Sequence, residues 1–79
     1  PDKATTISID RYQRVYWNGT RIQESMIASK VQSIVKLFPD HNVIVQADKN
    51  TPYIRVISVL DAIRKSGCFN ILLEAEQKS

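Results

Sequence analysis

At 79 residues the chain holds one domain with a modest core, and an ordinary globular balance of 43% hydrophobic and 24% charged residues excludes a disordered or fibrous protein. The net charge of +3 comes from Lys and Arg spread along the whole length, with only Arg64 and Lys65 adjacent, so the concentrated basic face of a nucleic-acid binder is missing. One cysteine, Cys68, excludes an intramolecular disulfide and a thiolate metal cluster.

Residues 1–4 are polar and read as the remnant of a linker, and the start at Pro1 suggests a piece of a longer protein. Ile7 and Ile9 alternate with Thr6, Ser8 and Asp10, the period of a half-buried strand. Val15-Tyr16-Trp17 is a second β-favouring run, and Asn18-Gly19 breaks it with tight-turn residues. From Glu24 to Phe38 no Pro or Gly intervenes, and Ile27, Val31, Ile34, Val35 and Phe38 recur at helical spacing until Pro39 ends the stretch.

Val43 to Ala47 is a nearly continuous apolar run rich in β-branched residues, expected to be a central strand buried on both faces. Thr51-Pro52 signals a helix start, with the Thr hydroxyl as cap and Pro at the first helical position. Tyr53, Val56, Ile57, Leu60 and Ile63 form the expected core-facing stripe, Asp61 pairs with Lys65 one turn on, and Ser66-Gly67 closes the helix. Phe69 to Leu73 reads as the last strand, and 76–79 as a polar tail. The expected fold is therefore α+β, a ββαβαβ two-layer domain over residues 5–75 with two helices packed on one face of a small mixed sheet.

Catalytic chemistry has little to stand on. His41 is the only histidine, far in sequence from Cys68, and neither a nucleophile elbow nor a phosphate-cradling glycine loop is present. We expect no enzymatic activity, no metal and no cofactor, with Cys68 a buried inert thiol. The segment Asp48-Lys49-Asn50 stands at the end of a parallel strand, where loops often bind ligands. The plainer reading is that Asp48 and Asn50 accept backbone N–H groups of the turn. A small RNA-binding domain using Tyr16, Trp17 and Arg55 as stacking groups is the rival class, but the aromatic strand motif and the GXXG clamp of such domains are missing.

The string Val43-Ile44-Val45-Gln46-Ala47-Asp48-Lys49-Asn50-Thr51-Pro52-Tyr53, followed by Val56, Val59, Asp61, Gly67 and Ile71-Leu72-Leu73, resembles the periplasmic domain of ExbD/TolR proteins. That family's pattern is an apolar strand ending in Ala-Asp-Lys, a loop with Pro-Tyr, a helix with Val and Asp, a Gly and a final apolar strand. The resemblance implies a homodimeric Gram-negative inner-membrane protein with one N-terminal transmembrane helix outside this sequence. It also implies work with ExbB/TolQ-type channel subunits, in which the proton gradient drives a TonB- or TolA-type protein. The proton-carrying aspartate of the family lies in that membrane helix, so Asp48 and Asp61 do not take its role. The motif residues Asp48, Lys49, Tyr53, Asp61 and Gly67 are expected to be structural.

For the domain, the resemblance implies docking of a TonB/TolA-type segment or, in TolR-like members, anchoring on peptidoglycan; no nucleic-acid partner is expected. Strand addition is the expected mode, because a small open sheet exposes backbone donors and acceptors at its edges. The candidate edges, for a partner or for exchange between protomers, are Thr5, Thr6, Ile7, Ser8 and Ile9 at one end of the chain and Ile71, Leu72 and Leu73 at the other.

Overall fold

The structure is a computed structural model that describes residues 4–75. The polar tail expected at 76–79 lies outside the described residues, and so does the expected linker remnant except for Ala4. Ala4 is already the first residue of a strand.

The chain forms β1 (Ala4–Ile9), β2 (Val15–Trp17), β3 (Thr20–Ile22), a single 3-10 turn (Glu24–Met26), α1 (Ile27–Leu37), β4 (Asn42–Ala47), α2 (Tyr53–Lys65) and β5 (Ile71–Ala75). The five strands make one mixed sheet in the order β3-β2-β1-β4-β5. β1, β4 and β5 run parallel, and the β2-β3 hairpin continues the sheet antiparallel on the other side. The α+β two-layer architecture matches the expected class, with one strand more than the sequence reading allowed.

That extra strand follows from the turn. Asn18 and Gly19 both have positive φ, 48° and 89°, the conformation of the two-residue hairpin loop whose twist suits flanking strands. Trp17 therefore faces Thr20, and Val15 faces Ile22. At the other end of the fold Gly67, at φ 100°, carries the chain out of α2, and its N–H donates to the Arg64 carbonyl at 3.0 Å.

The core lies between the sheet and the helices. Ile7 and Ile9 of β1, Val15 of β2, Val43 and Val45 of β4, Ile27 and Val31 of α1, and Val56, Val59 and Ile63 of α2 are buried there together with Cys68. Trp17, Ile22, Val35, Leu60 and Ile71 pack around its rim. The buried thiol agrees with the sequence reading; its Sγ contacts the His41 carbonyl oxygen at 3.7 Å.

Several expectations are corrected. Val43–Ala47 is interior, but the middle strand is β1. Only one face of β4 is covered, since Gln46 is exposed and Ile44 half-buried on the helix-free side. The Thr51 hydroxyl does not cap α2: it donates to the backbone carbonyls of Ile9 and Asp10, at 3.3 and 3.1 Å, and ties two loops together. Pro52 takes the cap position itself. Tyr53, at 73% exposure, and Ile57, at 41%, leave the core stripe, because Val59 takes the inward position between Val56 and Ile63. Phe38 is also exposed, past the last turn of α1.

Candidate partner edge

The expected edge at Thr5–Ile9 is not an edge. β1 is bonded to β2 on one side and to β4 on the other, from Ala4↔Asn42 through Ile9↔Ala47. Its alternation of buried and half-buried residues is that of a central strand covered by helices on one face. Thr5 adds an anchor, its hydroxyl lying 2.8 Å from His41 Nε2. Exchange of β1 between protomers would break both ladders.

Ile71, Leu72 and Leu73 do lie at an edge. β5 pairs only with β4, in the register Val43↔Ile71 through Ala47↔Ala75. The Val43 N–H donates to the Asn70 carbonyl at 2.9 Å, so Asn70 turns its peptide groups toward β4. Because successive residues of a strand turn these groups to opposite sides, Leu72 and Glu74 also bond β4, while Ile71, Leu73 and Ala75 present theirs outward. By the register, the side chains of Ile71 and Leu73 share the helix-covered face with Val43 and Val45. Leu72 and Glu74 share the open face with Ile44 and Gln46, and Gln46 Nε2 donates to Glu74 Oε1 at 3.0 Å.

The motif residues that identify the loop after β4 are structural where their contacts are visible. Asp48 Oδ1 accepts the Asn50 N–H at 2.9 Å, its carbonyl accepts the Thr51 N–H at 2.9 Å, and its own N–H donates to Ile9 at 3.0 Å. Of the two residues expected to accept turn N–H groups, Asp48 does so through its side chain, and Asn50 supplies a donor instead. Asp61 pairs with Lys65 at 3.0 Å on the exposed side of α2, as expected. Lys49 is exposed in the loop between Asp48 and Asn50.

The groups named for nucleic-acid stacking are engaged within the fold. The Tyr16 hydroxyl donates to Asp10 Oδ2 at 3.1 Å, the Lys30 ammonium lies 5.3 Å from the Trp17 ring centroid, and Arg55 Nη1 bonds Glu24 Oε1 at 3.0 Å. The Glu24 contacts were not foreseen. Its second oxygen accepts the Ser58 hydroxyl at 2.9 Å, so one carboxylate fastens the 3-10 turn to α2. A periodicity reading scores Glu24 only as a helix start, and no local signal marks its distant partners.

On the helix-free face, Ser8, Asp10, Tyr16, Gln46, Asp48 and Glu74 line an open depression of about 480 Å³. Asp10 is held there by a cluster of donors. Partial desolvation works against its charge, but the Arg14 backbone N–H, the Arg14 guanidinium at 2.6 Å, the Tyr16 hydroxyl and the Tyr12 backbone N–H outweigh it, lowering the pKa from 3.8 to about 2. A carboxylate with a depressed folded pKa contributes stability above its unfolded pKa, and that contribution disappears as pH falls through the folded value. The melting temperature should therefore fall between pH 4 and pH 2, and Asp10→Asn should flatten that part of the profile; thermal melts followed by circular dichroism at successive pH values check it.

Among the described residues no group of three or more His, Cys, Asp or Glu could hold a metal ion, and no helix is long and apolar enough to cross a membrane. The family model described as biopolymer transport protein ExbD/TolR matches residues 1–78. The chain belongs to the ExbD/TolR family. The family is one of non-enzymatic transport proteins, anchored in the inner membrane and carrying a periplasmic domain, that work with ExbB/TolQ-type and TonB/TolA-type partners. None of the curated proteins compared with the chain matches it. Within this fold, β5 leaves one side of its backbone without a neighbouring strand.

Proposed function

We propose that this chain is the periplasmic docking domain of an ExbD/TolR-type subunit, homodimeric, in a complex driven by the proton motive force. In this reading it receives an extended segment of a TonB/TolA-type protein as a sixth strand beside β5. The observation that carries the reading is the unpaired edge of β5, where Ile71, Leu73 and Ala75 offer backbone donors and acceptors outward. Strand addition satisfies those groups with main-chain bonds and leaves the five existing strands in place. β3 is the other open edge, but it has only three residues, Thr20–Ile22. Titration of the ¹⁵N-labelled domain with a TonB-type linker peptide should shift and protect the amides of residues 71–75. Shifts confined to β3, or to the helices, would remove the reading.

A second reading has its own observation. The depression on the helix-free face is lined by hydroxyl, amide and carboxylate groups beside the Tyr16 ring, a set suited to a glycan, and a TolR-like anchor would take peptidoglycan there. Co-sedimentation with purified peptidoglycan, lost on Gln46→Ala and Tyr16→Ala but kept when β5 is blocked, distinguishes it from the strand-addition reading.

A further inference from the structure

The flank of α2 that overhangs β5 bears on which segment the edge accepts. Arg55 and Ser58 reach toward Glu24 and so mark the side of α2 that faces the 3-10 turn and α1. α1 lies over β2, as the Lys30–Trp17 contact shows, which puts α2 over β4 and β5. At about 100° per residue, Tyr53, Ile57, Leu60 and Arg64 fall on the opposite flank, above the open edge. Ile57 is 41% exposed and Leu73 43%, with Leu60 and Ile71 half-buried beside them. By this placement the apolar side chains of the α2 flank and of β5 fall along the same edge as a shelf.

The shelf has a charged end. In a strand-helix-strand unit α2 runs opposite to β5, so Arg64 lies toward Ile71 and Tyr53 toward the other end of the strand. Arg64 has no ion pair among the described residues, whereas Lys65 next to it is held by Asp61. A strand placed about 4.8 Å outside β5 lays every second side chain under this shelf.

Building on the docking reading above, the geometry points to an extended segment of another protein, with apolar residues at two alternate positions and an acidic residue at the next alternate position, beside Arg64. The apolar pair covers Ile57, Leu60 and Leu73, and the acid meets the one arginine of the shelf. A second copy of β5 does not supply this pattern. It brings Ile71 and Leu73 under the shelf, but its Glu74 lies on the opposite face, beside Gln46, and leaves Arg64 unanswered.

The test uses two symmetrical peptides that serve either strand direction, acetyl-Thr-Glu-Thr-Val-Thr-Val-Thr-Glu-Thr-amide and its analogue with both Glu replaced by Lys. The whole domain should bind the acidic peptide about fivefold more tightly at low salt, Arg64→Glu should reverse the order, and Ile57→Ser should weaken both. Amide spectra confirm that each variant is folded. Equal affinity for both peptides in wild type and Arg64→Glu, with β5 amides still responding, overturns this inference and leaves the docking reading standing. No response at β5 to either peptide overturns both. Self-association that excludes both peptides identifies a second copy as the occupant and overturns the inference.

Discussion

Leu73→Pro should abolish binding of a linker peptide to β5 while leaving the fold intact, and Leu72→Pro, one residue away, should unfold the last strand. The two outcomes differ because neighbouring residues of a strand turn their N–H groups to opposite sides. Asn70 bonds toward β4 through the Val43 N–H, so Leu73 is among the residues that point to solvent and Leu72 among those that point into the ladder. Proline at an outward position of an edge strand removes a donor that no partner within the domain uses. An incoming strand loses that bond and meets the ring, a loss of about tenfold or more in affinity if the bond contributes roughly 1.4 kcal/mol. Proline at Leu72 instead removes a ladder bond beside Ile44, at a cost of about 1–3 kcal/mol plus the loss of β5 packing. Amide spectra and urea unfolding read the fold, and peptide titration reads the docking. If Leu73→Pro binds as well as wild type, strand addition at β5 is wrong.

The contrast between β1 and β5 also shows where the sequence stops informing. Alternation in Thr5–Ile9 reports that one face is covered, and a helix-backed central strand and a helix-backed edge strand carry the same alternation. Which strand lies beside which is set by non-local pairing, here Ile7 with Val45 across about half of the chain, and the local pattern holds no trace of it. β3 went unread: the Asn18-Gly19 pair marks the turn, but Thr20-Arg21-Ile22 has a single apolar residue, too short a run for alternation to show the return strand. The β4-α2-β5 unit was legible, its boundaries being local: Pro52 opens the helix and Gly67 closes it. Tyr53 and Ile57 misled because an apolar side chain at helical spacing looks like core whether it faces the sheet or overhangs its edge. If the proposed docking at β5 holds, that ambiguity is expected there, since side chains that cover a partner are apolar for a chain the sequence does not contain.

The same small core that makes the open edge conspicuous makes the domain sensitive, and Ile7→Ala should be among its most damaging substitutions. Ile7 is 0% exposed and lies in the middle strand, opposite Trp17 in β2 and Val45 in β4. Truncating a buried Ile to Ala costs about 2–5 kcal/mol, from lost transfer energy and from the cavity left behind. A chain of this length has a net stability of only about 4–12 kcal/mol. The expected drop in melting temperature is therefore roughly 10–25 °C, and urea unfolding should reach its midpoint at a much lower concentration. The cavity would be hard to close by collapse, because both neighbours of β1 are fixed by backbone ladders, and on the helix side α1 is held to β2 by Lys30 over Trp17. Leu73→Ala, at a site 43% exposed, should cost far less stability while still weakening peptide binding. If the two substitutions cost the same stability, β5 is packed as deeply as β1, and the edge would not be free to accept a partner.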